Sequence, residues 1–326
     1  MSTTNLFSDG ILMDVNVRFW SGGVMLTPED MGLKEENVSQ AYKLGKKMLV
    51  PENIIKAFRT VENQARNLVN ANSFIFPIAN ARFVPKTKID RVITQLKQIQ
   101  TAYDDLTVSL ITNYESYREQ MTPVFKEAAE IAYAAQAPAG VVEFSIESQA
   151  AEKDAFIARF LTRINNFYPT KESLARKFSL TWDVYEIAPG SEIASEEYRV
   201  QAREKIGKFV DDVVISLRAQ TMELCTRIKE NIKSGKVVKG RTLTSLREYI
   251  EEFSEMNFVG DSLVSEQLDA LRSNFLNVHD NSVIADDSSL QEELGRRLNS
   301  IVETIESTSD ISSITGSYRR KINFAD

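Results

Sequence analysis

The most specific chemistry that this sequence approaches is a phosphate-binding loop. Residues 235–242 read Gly-Lys-Val-Val-Lys-Gly-Arg-Thr, which departs from the loop pattern at one position because Arg241 replaces the lysine. A working loop joins a buried strand to the start of a helix, where backbone amides hold phosphates. The preceding residues 198–232 have helical spacing instead. We therefore interpret 235–242 as the turn of a helical hairpin and expect no nucleotide site.

The same region is strongly basic. Between positions 227 and 247, Glu230 alone opposes seven cations, which are Arg227, Lys229, Lys233, Lys236, Lys239, Arg241 and Arg247. Clustered cations of this kind contact phosphates or an acidic partner. Because no aromatic residue stands among them to stack on bases, the pattern favours a solvated hairpin, and nucleic-acid binding stays open as the alternative.

Few other residues have the types that catalysis requires. The single histidine, His279, lies beside Asp280 in a polar stretch, and the single cysteine, Cys225, follows Leu224 in a helical pattern. A zinc site or a catalytic triad would need partners from elsewhere in the chain. We expect no catalytic residue, no metal ligand and no cofactor, and hence a protein that is not an enzyme.

The composition is typical of a mainly helical protein with a real core. Of the 326 residues 43% are apolar, only 13 are glycine and 8 proline, and no proline follows Pro189. The net charge of −7 argues against a surface that is basic throughout. One cysteine excludes an intrachain disulfide, and no apolar run is long enough to span a membrane. With no signal segment at the start, we expect a cytoplasmic protein.

Long helices are the elements that would position these residues. Fourteen apolar residues recur at three- and four-residue spacings, and they are Ile89, Val92, Leu96, Ile99, Tyr103, Leu106, Leu110, Tyr114, Tyr117, Met121, Val124, Ala128, Ile131 and Ala135. Spacing near 3.5 keeps one seam of a helix toward a partner helix. The repeat changes phase at 106–114, and Pro123 predicts a bend or a break. The seam packs either between chains or, as we favour, antiparallel to the equally long pattern 198–232.

Shorter patterns predict a small sheet. Residues 11–20 and 178–184 alternate between apolar and polar, so we expect two strands that pair in one sheet. Two short extended pieces are predicted at 74–76 and 82–84, and Thr-Pro-Glu-Asp at 27–30 marks a helix start. The fold class is mainly α, with long antiparallel, coiled-coil-like helices and a small β-sheet at the base.

We divide the chain into four parts. They are a mixed α/β base at 1–84 and 141–195, a long helical arm at 86–136 and 196–257, C-terminal helices at 258–306, and a flexible tail at 307–326. The tail is rich in serine and ends in basic residues, which is typical of a loosely held terminus. Residues 279–289 are polar, and we predict a loop there.

The first third of the chain resembles an uncharacterised family. Its strand at 13–20 is followed by Ser21 and Gly22, residues 26–31 read Leu-Thr-Pro-Glu-Asp-Met, and residues 45–51 read Gly-Lys-Lys-Met-Leu-Val-Pro. These motifs are similar to those of a domain of unknown function found in bacteria, plasmids and phages. Gly23 and Val24 stand where that family has basic residues.

The resemblance implies a role rather than an active site. Members of the family accompany ring ATPases of the chaperone-like type and proteins with a von Willebrand A domain, which implies an adaptor or substrate role. We therefore hypothesise a non-enzymatic helical interaction or adaptor protein of bacterial or phage origin. The alternative is a nucleic-acid-binding protein that uses the basic hairpin 227–247. The oligomeric state is left open.

Overall fold

The chain forms two compact units from segments that alternate along the sequence. The larger unit comprises Met1–Asp14, Arg66–Gln95 and Trp182–Asp326, and the smaller unit comprises Val15–Ala65 and Leu96–Thr181. The structure, a computed structural model, describes residues 6–39, 43–77, 81–136, 146–186, 196–238 and 240–308. Most of the predicted tail at 307–326 lies outside the described residues, and the division into base, arm and C-terminal helices stays a prediction.

Helices make up most of the described chain, which confirms a mainly α fold with a minor β component. The strands are β1 (Gly10–Arg18), β2 (Gly23–Met25), β3 (Lys46–Met48), β4 (Phe74–Ile75), β5 (Arg82–Pro85) and β6 (Ser179–Tyr185). The α-helices are α1 (Leu6–Asp9), α2 (Glu52–Ala71), α3 (Lys86–Thr112), α4 (Tyr114–Gln136), α5 (Ile146–Asn165), α6 (Lys171–Ala175), α7 (Glu196–Lys233), α8 (Gly240–Met256), α9 (Ser262–Leu271), α10 (Asn281–Asp286) and α11 (Ser288–Thr308). Pro28–Met31 and Glu35–Asn37 are 3-10 helices, and Arg272–Leu276 is a π-helical turn.

The sheet contains the predicted strands. Its order is β4-β5-β1-β6, so β1 and β6, the two alternating segments, are neighbours as predicted. β1 runs antiparallel to β5, with Ile11 opposite Val84. Met13 and Val15 are buried and Asp14 between them is exposed, because successive residues of a strand face opposite sides. A separate antiparallel pair joins β2 to β3.

The larger unit is built around a helical pair and an aromatic cluster. α7 packs antiparallel along α11, and Lys229 Nζ donates to Asn299 Oδ1 at 3.0 Å near one end of the pair. Phe83 lies among Phe209 and Phe258, with ring centroids 5.6 and 4.7 Å away. Edge and tilted contacts of this kind stabilise a core beyond the apolar area they bury.

The turn after α7 is a helix terminus and not a phosphate loop. Gly235 has φ +70°, and its amide donates to the Ile232 carbonyl at 3.0 Å, while the Lys236 amide donates to the Asn231 carbonyl at 3.0 Å. This left-handed glycine ends α7 and satisfies its last carbonyls. The segment before the turn is a helix, as the hairpin interpretation predicted.

The predicted loop at 279–289 is wrong. Residues Asn281–Asp286 form α10, although their composition is polar. Ile284 is fully buried in the core of the larger unit. Short helices gain most of their stability from tertiary packing, so this single buried side chain outweighs the polar neighbours on which the loop prediction was based.

The long helical pattern is disturbed at Asn113 but does not stop there. α3 ends at Thr112 and α4 begins at Tyr114, beside the predicted change of phase, yet the Asn113 amide still donates to the Ser109 carbonyl at 3.0 Å. Pro123 lies inside α4, which continues through it, so the break that Pro123 could have caused does not occur there. α5 and the 3-10 helix Pro28–Met31 pack on α4 within the smaller unit.

Candidate functional site

Lys229 and Arg247, two of the seven candidate cations, make hydrogen bonds within the larger unit. Lys229 bonds Asn299, as described above. The Arg247 guanidinium donates to Asn277 Oδ1 at 3.1 Å, to Asn281 Oδ1 at 3.2 Å and to the carbonyls of Leu276 and His279. Arg247 therefore holds the chain that enters α10, which is a structural role.

The other cations are distributed around the turn between α7 and α8. Lys233, Lys236 and Arg241 are exposed near the turn, and Arg227 is exposed two helical turns before it. Lys239 lies outside the described residues. The basic character of the segment thus reduces to a few exposed side chains, and the structure does not bring all seven candidates together.

Neither Cys225 nor His279 has the surroundings of a catalytic residue. Cys225 is completely buried, and burial raises the pKa of its thiol to about 12, so the reactive thiolate is scarce at neutral pH. His279 is half-buried with its ring edge-on to Phe275 at 5.3 Å. Among the described residues, no group of three or more histidine, cysteine and acidic side chains could hold a metal ion.

A buried ion cluster joins the N-terminal motifs to α5, and the sequence analysis missed it. Lys47 Nζ donates to Asp30 Oδ2 at 2.6 Å, and Arg163 Nη2 donates to Asp30 Oδ1 at 2.7 Å. Arg163 Nη1 also donates to Glu29 Oε2 at 2.7 Å. The Asp30 and Lys47 side chains are only 2% and 6% exposed. The cluster balances two cations against two carboxylates; Asp30 and Lys47 are desolvated and must be paired, whereas Arg163 is 35% and Glu29 71% exposed.

The hydrogen bonds outweigh the cost of burying Asp30. Burial by itself raises the pKa of this carboxyl group. The hydrogen bonds from Lys47 and from the Thr27 amide, which lies 2.8 Å away, lower the pKa by more than burial raises it. The net effect holds the pKa of Asp30 below its ordinary value of 3.8. Asp30 is therefore ionised at neutral pH and serves as an anchor, not as a proton donor.

Local structure brings Lys47 beneath Asp30. Thr27 precedes Pro28 at the start of the 3-10 helix, and this capping arrangement turns the Asp30 carboxylate back toward the helix start. The strand pair places Met25 opposite Lys46. The two motifs of the resemblance, separate in sequence, thus form one small substructure. The capping residues were visible in the sequence, but Arg163 lies 133 positions from Asp30 and no local pattern connects them.

The predicted seam becomes more exposed along α4. Up to Tyr114 its residues are buried or half-buried, but Val124 is 50% exposed and Ile131 63% exposed. The buried side of α4 beyond that point carries Phe125 and Ala132 instead. We call this face the α4 seam; Val124, Ile131 and Ala135 in it are exposed, and Tyr117, Met121 and Ala128 are half-buried.

The drift of a straight helix explains this outcome. Each heptad falls about 20° short of two whole turns of an ideal α-helix, so a seam spaced by sevens moves away from any fixed direction. The buried residues Tyr114, Phe125 and Ala132 are spaced by eleven and seven residues, so they stay near one direction of the helix. The α4 seam ends up about a quarter turn away from this buried side.

The comparison with models of protein families gives a match that covers most of the chain. A model described as a protein of unknown function (DUF3150) matches residues 8–295. This chain belongs to the DUF3150 family. The DUF3150 region contains the ion cluster, the α4 seam and the basic segment, so each is part of the family domain. No curated protein and no solved structure matches the chain.

The DUF3150 match confirms the predicted resemblance to an uncharacterised family. Its description names no reaction and no partner, so the adaptor and nucleic-acid hypotheses stay predictions. None of the described helices has both the length and the hydropathy needed to cross a membrane.

Proposed function

We propose that this DUF3150 protein is a non-enzymatic interaction protein that binds a helix of another protein through the α4 seam. The observation that supports this is the exposure of Val124 and Ile131, because heptad-spaced apolar residues are the pattern by which one helix receives another. A bacterial or phage origin, a cytoplasmic location and a ring ATPase or von Willebrand A domain protein as the partner belong to this proposal. The origin and the partner derive from the resemblance described above.

Replacing Val124 and Ile131 together by serine is expected to remove partner binding and leave the fold intact. Both side chains are exposed, so their loss changes the free energy of unfolding by no more than about 0.5 kcal/mol each. Interface anchors, in contrast, commonly contribute about 2 kcal/mol or more, which reduces binding more than tenfold. The measurement is quantitative mass spectrometry of proteins that the full chain retains from an extract of its native host.

The matched control replaces Val237 and Val278, two exposed valines of the larger unit, by serine. Proteins retained by the wild type and by this control, but lost from the α4 seam variant, would support the proposal. If all three proteins retain the same set, the α4 seam is not the binding site. Turnover of a small molecule by a chain that retains no protein would contradict the proposal altogether.

Nucleic-acid binding is the second candidate, and the exposure of Lys233, Lys236 and Arg241 favours it. Replacing these three residues by glutamine is then expected to weaken DNA or RNA binding at low salt by tenfold or more, since each lost phosphate contact also removes counterion release. A control changes exposed Lys171, Lys205 and Lys208 to glutamine. A mobility-shift assay over a range of salt concentrations measures both, and no shift at low salt rejects this candidate.

A further inference from the structure

The two sides of the α4 seam differ in chemistry. One side is occupied within the smaller unit, where Phe125, Ala129 and Ala132 are buried. At 100° per residue, Glu127 lies beside the seam on the side away from Phe125, and Glu130 lies further round the helix in the same direction, near Lys153 of α5. We call these two glutamates the acidic shoulder. The two cations of α4, Arg118 and Lys126, lie on other sides of the helix.

The charge of the acidic shoulder is only partly balanced within the chain. Glu130 Oε1 lies 3.4 Å from Lys153 Nζ of α5, and both side chains are half-exposed. Glu127 is exposed. A helix that lies along the α4 seam would bring its own flanking residues next to Glu127 and desolvate them in part, so opposite charge there strengthens binding and like charge weakens it.

A second copy of the chain fits this surface poorly. In an antiparallel two-fold pair of α4 helices the same shoulder of each copy faces the other, which places Glu127 against Glu127 of the other copy. In a parallel pair each acidic shoulder faces the side that carries Phe125 and Ala132, which the smaller unit already covers. Both arrangements are therefore disfavoured by charge or by space.

We infer that the α4 seam receives a partner helix whose apolar stripe is flanked by lysine or arginine on the side that meets Glu127 and Glu130. This inference rests on the proposed function and specifies the chemistry of the partner. The apolar seam supplies affinity, and the acidic shoulder selects the partner and sets the direction in which it lies.

Two synthetic helices test the inference against the full chain. They share one apolar heptad stripe and differ only in the flanking positions, which carry lysine in one peptide and glutamate in the other. We expect the lysine peptide to bind about tenfold more tightly at low salt, because two positions change from attraction to repulsion. Fluorescence anisotropy measures both dissociation constants, and the ratio should approach one near 1 M salt, where the Debye length is about 3 Å.

A charge reversal provides the decisive comparison. Glu127→Lys with Glu130→Lys is expected to invert the preference and favour the glutamate peptide. The control variant, Glu223→Lys with Glu266→Lys, changes the net charge equally at exposed sites of α7 and α9 and should keep the wild-type preference. An inversion that the control does not share supports a specific acidic shoulder and excludes an effect of net charge.

The remaining outcomes separate this inference from the proposed function. Equal binding of the two peptides overturns the inference that the partner is basic. The proposed interaction function stands in that case if Val124→Ser with Ile131→Ser abolishes peptide binding. Failure of both peptides to bind also overturns the inference, while the retention experiment decides the proposed function independently. A dimer in light scattering that the serine variant dissolves would replace the basic partner by a second copy of the chain.

Discussion

Asp30→Ala is expected to lower the free energy of unfolding of the smaller unit by about 3–5 kcal/mol, because it leaves Lys47 buried with no anion beside it. The lysine side chain is 6% exposed, and its ammonium group has Asp30 Oδ2 at 2.6 Å. The Phe167 ring lies 4.6 Å from Nζ, but a ring face replaces little of the lost attraction.

The neighbouring Glu29 supplies the control. Its side chain is 71% exposed and, like Asp30, it accepts a hydrogen bond from Arg163. Glu29→Ala should therefore lower the free energy of unfolding by less than about 1 kcal/mol. Urea denaturation followed by tryptophan fluorescence measures both variants. In a Trp182→Phe background Trp20 is the only tryptophan and reports on the smaller unit. Equal costs for the two substitutions would show that the cluster contributes no more than a surface ion pair.

A double variant keeps the test decisive if Asp30→Ala fails to fold. Asp30→Leu with Lys47→Met replaces the pair by apolar side chains and should regain most of the lost stability, although Arg163 then keeps only Glu29. If the double variant is as unstable as Asp30→Ala, the loss comes from altered packing and not from an unpaired charge.

The contribution of Asp30 also depends on pH in a defined direction. The folded pKa lies below the ordinary value of 3.8, so the unfolded chain takes up a proton first as the pH falls. The stabilisation is thus complete above about pH 5 and is lost as the pH drops through the folded pKa. The difference in stability between the wild type and Asp30→Asn should be constant from pH 6 to 8 and shrink below pH 4.

Gly32→Ala is expected to destabilise the smaller unit by about 2–5 kcal/mol for two separate reasons. Gly32 ends the 3-10 helix with φ +73°, a conformation that costs an alanine about 1–2 kcal/mol. A Cβ atom there would also lie 2.2 Å from the Ala132 carbonyl oxygen and 2.9 Å from Ala135 Cβ. The first of these contacts is with helix backbone, so α4 or the 3-10 helix must move, at a further cost of about 1–3 kcal/mol.

Gly235→Ala isolates the conformational part of this cost. Gly235 has nearly the same φ, +70°, and among the described residues no atom beyond its chain neighbours lies within 4 Å of its added Cβ. Its substitution should therefore cost only the first amount, about 1–2 kcal/mol. Chemical denaturation of both variants gives the comparison. Should Gly32→Ala cost no more than Gly235→Ala, the close approach of the 3-10 helix to α4 does not contribute to stability.

Local patterns were sufficient for most elements of the fold. The alternation of β1, the proline and cap before the 3-10 helix, and the uninterrupted pattern of α7 each depend on residues close in sequence. α10 was missed because its helix depends on the burial of Ile284 among distant residues. A local pattern cannot report which apolar side chain the rest of the core will cover.

The candidate sites depended on distant contacts and were predicted less well. The Thr27 and Asp30 capping pair was recognisable, but Arg163 comes from a helix more than 130 positions away. The predicted seam of α4 included Tyr114, which is buried, but it did not include Phe125 and Ala132, which the structure also buries. A seam spaced by 3.5 residues turns slowly away from a fixed side of a helix that has 3.6 residues per turn. Which side of α4 is buried therefore depends on where α5 and the 3-10 helix pack.

The separation of the two apolar sides of α4 has an evolutionary consequence. Phe125 and Ala132 serve folding, while Val124 and Ile131, each one position earlier, contribute little to it. Mutations at the exposed positions are therefore nearly invisible to selection for stability and are free to follow changes in whatever they contact. Under the proposed function, the face that meets the partner can therefore change its side chains while the buried face of α4 stays the same.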